Sequence, residues 1–188
     1  TGVWASLAAG ERSIVAPDEI DIYAGYGFAL SDTISADVGA TLYHYPQSGG
    51  LLNLGDFSDP DDGSTLELFG GLGFDTILSP SLYAFYDVNL KNFTLEGGIG
   101  HSFPLSDDTS FDRGASAGYV DVNNSDDYQY ASASASLSYA VSDAGSVYVG
   151  GNFGVSSENT FLNYNDSSMT ITTSDNSAWF GVGASGTF

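Results

Sequence analysis

Eight carboxylates share one phase of the alternating segments of this sequence: Glu19, Asp21, Asp37, Glu67, Asp75, Asp87, Glu96 and Asp112. Lys91 is the one base in clear phase with them. Acid–base hydrolysis would need a histidine beside an acid or a nucleophile. The only histidines, His44 and His101, fall toward opposite strand ends, so no catalytic set is expected and the chain reads as a non-enzyme. What remains is electrostatic work. Packing such acids into a dry interior without basic partners would cost about several kcal/mol per charge. The expectation is a wet, negative lumen that favours cations. Glu19, Asp75 and Asp112 lie near strand ends, where bulk solvent suffices. Asp37, Asp87 and Glu96, with Glu67, are the candidates for lining the lumen and influencing ion passage.

A second acidic group, Asp56, Asp59, Asp61 and Asp62, surrounds Gly63. Carboxylates around a glycine turn are the chemistry of calcium loops, but the twelve-residue spacing and closing Glu of an EF-hand are missing. A solvated outer loop is the ordinary reading and Ca²⁺ the alternative; no other cofactor is expected. With no cysteine, disulfides and thiolate metal sites are excluded. Three Lys and Arg against 24 Asp and Glu give a net charge of −21, which leaves no basic surface for nucleic acid. The same charge opposes docking onto anionic headgroups from outside.

The elements that must hold these residues are strands. Over Glu19–Leu30, Ile20, Ile22, Ala24, Tyr26, Phe28 and Leu30 alternate with Glu19, Asp21, Tyr23, Gly25 and Gly27. Over 131–141, Ala131, Ala133, Ala135, Leu137, Tyr139 and Val141 alternate with four serines. This period-two pattern predicts strands near 1–9, 18–30, 34–46, 65–78, 82–90, 93–103, 110–121, 129–141, 146–157 and 177–188. The connections at Ser31–Thr33, Ser79–Ser81, Pro104–Thr109 and Ser142–Gly145 are short and all follow even-numbered strands. Those at Gly10–Pro17, Gln47–Ser64 and Ser157–Asn176 are long and follow odd ones; only the tight connection near Lys91-Asn92 breaks the contrast. Outer-membrane barrels sort their loops this way, with short turns in the periplasm. The 188 residues therefore read as a single domain, an all-β, antiparallel up-and-down transmembrane barrel with ten visible strands. Both termini would be periplasmic. There is no initiator Met or signal peptide, so Thr1 begins a mature or a truncated chain. No run of about 18 apolar residues exists for a spanning helix, but barrel strands escape that test because only alternate residues meet lipid.

The last segment is the most specific. Ala178, Phe180, Val182, Ala184, Gly186 and Phe188 share a face and end on an aromatic. Phe180, Val182 and Phe188 resemble the carboxy-terminal signal that barrel-assembly machinery reads. Aromatics near presumed strand ends, at Phe28, Tyr43 to Tyr45, Tyr139, Trp179-Phe180 and Phe188, fit interfacial girdles. Arg113 shares the lipid phase with Phe111, Ala115 and Tyr119. Either it snorkels to the interface, or a bulge turns it toward a lumenal acid.

The segments GVWAS (2–6), EIDIYAGYGF (19–28), DVGATLYHYP (37–46), LSPSLYAFYD (78–87) and GIGHSFPL (98–105) resemble the TorF-type porin family of Gram-negative outer membranes. The similarity runs over most of the chain, through strand patterns that carry no catalytic residues. Members usually begin with two further strands bearing an aromatic–x–x–Arg–Gly segment, which this chain does not show. Either a twelve-stranded barrel has lost its start, or ten strands close by pairing 1–9 with 177–188. The resemblance and the residues together imply an outer-membrane channel for passive diffusion of small, preferably cationic solutes. The alternative is a non-conducting structural, adhesive or docking barrel within a larger envelope assembly. The partners expected are outer-membrane lipid and the assembly machinery, with a second copy or an envelope protein as further options.

Overall fold

A computed structural model describes residues 1–7, 18–46, 63–165 and 170–186. It is all-β, and no helix among the described residues is long and apolar enough to cross a membrane. Twelve strands follow in chain order: β1 (Gly2–Ser6), β2 (Glu19–Ala29), β3 (Ile34–His44), β4 (Ser64–Phe74), β5 (Ser81–Asp87), β6 (Phe93–Pro104), β7 (Thr109–Asp121), β8 (Tyr128–Ser142), β9 (Gly145–Ser156), β10 (Phe161–Asn165), β11 (Thr170–Ser174) and β12 (Asn176–Gly186). Ten form one antiparallel sheet in which each strand pairs with its chain neighbour, except that β9 pairs with β12.

Three expectations need correction. The segment read as a long loop over 157–176 contains a hairpin, β10 with β11. Its runs Phe161-Leu162 and Thr170-Ile171-Thr172-Thr173 suit strands by composition but lack clean alternation, so the pattern missed them. The strand expected over 82–90 stops at Asp87, where the chain turns through 88–92 with Lys91 at φ 61°. The sheet is also not closed through its first and last strands: β1 pairs with β2 and β12 with β9, and not with each other. β1 covers only Glu19 to Tyr23 of β2, leaving that edge unpaired beyond Tyr23 among the described residues.

The two faces differ in kind. Along β7, Phe111, Arg113, Ala115, Ala117 and Tyr119 are exposed, whereas Asp112, Gly114, Ser116 and Gly118 between them are half-buried. The small and polar phase is the enclosed one, since alternate side chains of a strand point to opposite faces. Only Val120, at 6 % exposure, counts as a buried hydrophobic residue among the described positions. Phe180, at 88 %, and Val182, at 80 %, stand free on the outer face of β12. Trp179, grouped with Phe180 by sequence, lies on the opposite, enclosed face, paired with Asn152.

Short turns over 30–33, 75–80, 105–108 and 143–144 gather at one end of the sheet. The strand ends that the longer connections join, His44 with Ser64 and Ser156 with Asn176 among them, lie at the other.

Candidate functional site

The enclosed face carries one rung that crosses eight strands. The registers align Gly27, Asp37, Gly71, Tyr83, Glu96, Gly118, Tyr130 and Ser156 side by side. Within it a unit occurs twice, a carboxylate, a glycine and a tyrosine on successive strands. Tyr83 lies across Gly71 and donates its hydroxyl to Oδ1 of Asp37 at 2.8 Å. Tyr130 lies across Gly118 and donates to Oε2 of Glu96 at 2.5 Å. A Cβ at Gly71 or Gly118 would be driven into the tyrosine ring, so glycine is what lets each phenol span two strands.

Two rungs nearer the long loops, beyond the rung of Gly39, Phe69 and Phe85, Glu67 stands between Thr41 and Asp87, and its Oε1 accepts from Tyr43 at 3.0 Å. Asp37, Glu67 and Glu96 thus each hold a tyrosine hydroxyl. The partner is neutral, so it satisfies one oxygen without cancelling the charge, and the second oxygen keeps free acceptor capacity. Alternation alone puts tyrosines such as Tyr23 on this face but carries no sign that Tyr43, Tyr83 and Tyr130 serve the acids. The signal lay in the repeated order of acid, glycine and tyrosine, which means nothing until the register is known.

Asp87 behaves differently. It is 9 % exposed, and its Oδ1 accepts the amides of Asn89 at 2.9 Å and Leu90 at 2.7 Å. Its carboxylate caps the 88–92 turn. Asp112 sits among hydroxyls, accepting from Ser110 at 3.1 Å and from Ser138 at 2.7 Å. Asp75 is exposed in a short turn. Asp21 is buried, and its Oδ1 has no hydrogen-bond donor among the described residues. Beyond β3, burial and a hydrogen bond to Glu19 push the Tyr45 phenol above its ordinary value.

His44 is 2 % exposed and its Nδ1 lies 2.9 Å from Oγ of Ser64; His101 packs edge-on to Phe103 on the outer face. The two histidines therefore belong to separate surroundings. Asp56, Asp59, Asp61, Asp62 and Phe188 lie outside the described residues. Among the described residues no cluster of three or more His, Asp or Glu is arranged to hold a metal ion.

The outer face is apolar in its middle and aromatic toward its ends. Phe28, Phe74, Phe103, Phe111 and Tyr139 lie toward the short turns, and Tyr86, Phe93 and Tyr119 toward the long connections. Between them come Ala115 and Ala117 on β7 and Ala133 and Ala135 on β8. On β6 the interval from Phe93 to Phe103 is about 33 Å along the strand.

Comparison with known proteins adds a family and no activity. No curated protein matches the chain. A bacterial family described as of unknown function, Gcw_chp, matches over residues 1–186, and this chain belongs to that family.

Proposed function

We propose that this protein is an antiparallel β-barrel of a bacterial outer membrane, enclosing a narrow acidic pathway for small cations. The observation that carries the reading is the inversion of exposure. Tyr26 at 70 %, Phe180 and Val182 stand outward, while glycine, serine and carboxylates occupy the enclosed face. A soluble protein of this size collects its apolar side chains into a core, and large exposed apolar surface marks contact with another apolar phase. Hydrocarbon against the outer stripes and water against the inner ones removes the conflict. Closure requires the free edges of β1 and β12 to be paired at a seam. Short turns would then face the periplasm, with the outer stripe of β12 offered to the assembly machinery. The resemblance to TorF-type porins agrees with this reading.

The channel part rests on Asp37 and Glu96 in one rung and Glu67 two rungs nearer the long connections. A barrel of about ten strands leaves little open width, so the acids stand close to anything that passes. Planar-bilayer recording under a KCl gradient tests it. The expected result is small, cation-preferring conductance, with the preference reduced severalfold in the Asp37→Asn, Glu96→Gln double variant. Anion preference, or a selectivity unmoved by the double variant, overturns the cation pathway.

A second reading has its own support. Tyr83 stacks on Phe85 at 5.8 Å, and Phe69 lies 6.4 Å from Phe85, all on the enclosed face. Rings of that size can fill a small lumen, making a structural or docking barrel that conducts nothing. Absence of conductance from folded, inserted protein would establish it.

A further inference from the structure

The outer face carries one base that the channel reading does not use. Arg113 is exposed on β7, directly opposite His101 on β6 and Ala135 on β8. Both registers run unbroken through this position, so no bulge turns the side chain inward. Its guanidinium lies 4.6 Å from the centre of the Phe103 ring. Phe103 pairs with Phe111 one step closer to the 105–108 turn, so the side chain runs from its rung toward the short-turn rim. That is snorkelling, with direction supplied by an aromatic face.

The same ring is shared. His101 meets Phe103 edge-on at 4.4 Å between centres. Stacking occupies the face of the guanidinium and leaves its in-plane N–H donors free. Among the described residues no carboxylate pairs with Arg113, although the chain carries 24 acids. Beside the pair, Leu78, Ile99 and Ala115 line a shallow groove of about 350 Å³. An unpaired cation at the height of an aromatic girdle needs an anion from its surroundings, and a lipid interface supplies phosphodiesters.

We propose that Arg113 and His101 bind the headgroup phosphate of a phospholipid in the short-turn leaflet, with the start of an acyl chain along Leu78 and Ile99. The inference rests on this face being turned to lipid. The test is titration of the protein in uncharged maltoside with dihexanoyl phosphatidylglycerol below its micellar concentration, followed by native mass spectrometry. Wild type is expected to hold one lipid. Arg113→Gln should weaken binding about tenfold, with Arg113→Lys and His101→Gln in between, since lysine keeps the charge but not the planar fork. Inorganic phosphate at the same concentration should not displace the lipid.

No binding by wild type, or equal binding by Arg113→Gln, overturns the site. Displacement by inorganic phosphate reassigns it to free anion and overturns the lipid proposal. Should Arg113→Gln fail to fold, Arg113→Lys and His101→Gln carry the comparison. Failure of the membrane reading is separately visible as failure to float with phosphatidylcholine vesicles. The short-chain titration does not depend on that outcome.

Discussion

Tyr130 and Tyr83 show what a single glycine decides in this sheet. Each phenol reaches a carboxylate two strands away because the strand between has no side chain at that rung. Gly118→Ala should displace Tyr130 and loosen its bond to Glu96, costing about 1–3 kcal/mol. Gly39→Ala should cost more, because its Cβ would strike backbone atoms, Ala24 O and Gly25 Cα, as well as the Phe69 ring. Gly181→Ala meets nothing within 4 Å and should stay within about 0.5 kcal/mol. Urea midpoints in detergent test the order Gly39, Gly118, Gly181; a reversed order would refute the packing. At the long-connection end, Asp127 accepts Tyr119 Oη and the Val122 amide, and these bonds hold its carboxyl below the usual range. A depressed folded value means the stabilisation is full above the unfolded value, about 3.9, and is lost as pH falls through the folded one. Tyr119→Phe should raise the Asp127 midpoint in a carboxyl NMR titration, and an unmoved midpoint would refute the pairing.

At the scale of elements, β12 and the 88–92 turn make opposite demands. Val182 lies near the middle of β12 on its outer face. In water Val182→Arg would be nearly neutral, whereas against hydrocarbon it should cost about 2–4 kcal/mol. Folding equilibria in vesicles separate the two, and a neutral result there argues against lipid contact. Asp87 holds two amides of its turn, so Asp87→Ala should destabilise by about 1–2 kcal/mol. Asp87→Asn keeps one acceptor oxygen and should lose less. Its ion selectivity should match wild type, unlike the Asp37 and Glu96 variants, because this carboxylate is engaged by backbone.

For the whole molecule, the scarcity of fully buried apolar side chains among the described residues is the controlling fact. A ten-stranded sheet with Val120 as its one buried hydrophobic residue among those described has little reason to hold together in water alone. Detergent-extracted protein should migrate faster on gels before heating than after it. Protein that stays monomeric in buffer without detergent would refute the membrane assignment and the channel with it.

Alternation and loop lengths were enough to read all ten strands of the main sheet from sequence, because side-chain direction along a strand is local and strictly period two. The two unlike faces follow from the same rule. The hairpin of β10 and β11 escaped, since short runs without alternation carry no such signal. The phenol partners of Asp37, Glu67 and Glu96 were equally invisible, as was the capping role of Asp87. Tyr83 and Asp37 are 46 positions apart, and only the register across β3, β4 and β5 brings them together. Register is a cooperative property of turns and neighbours, and a one-residue slip would send every one of these side chains to the other face. Sequence determined which residues could share a face; tertiary structure alone decided which of them meet.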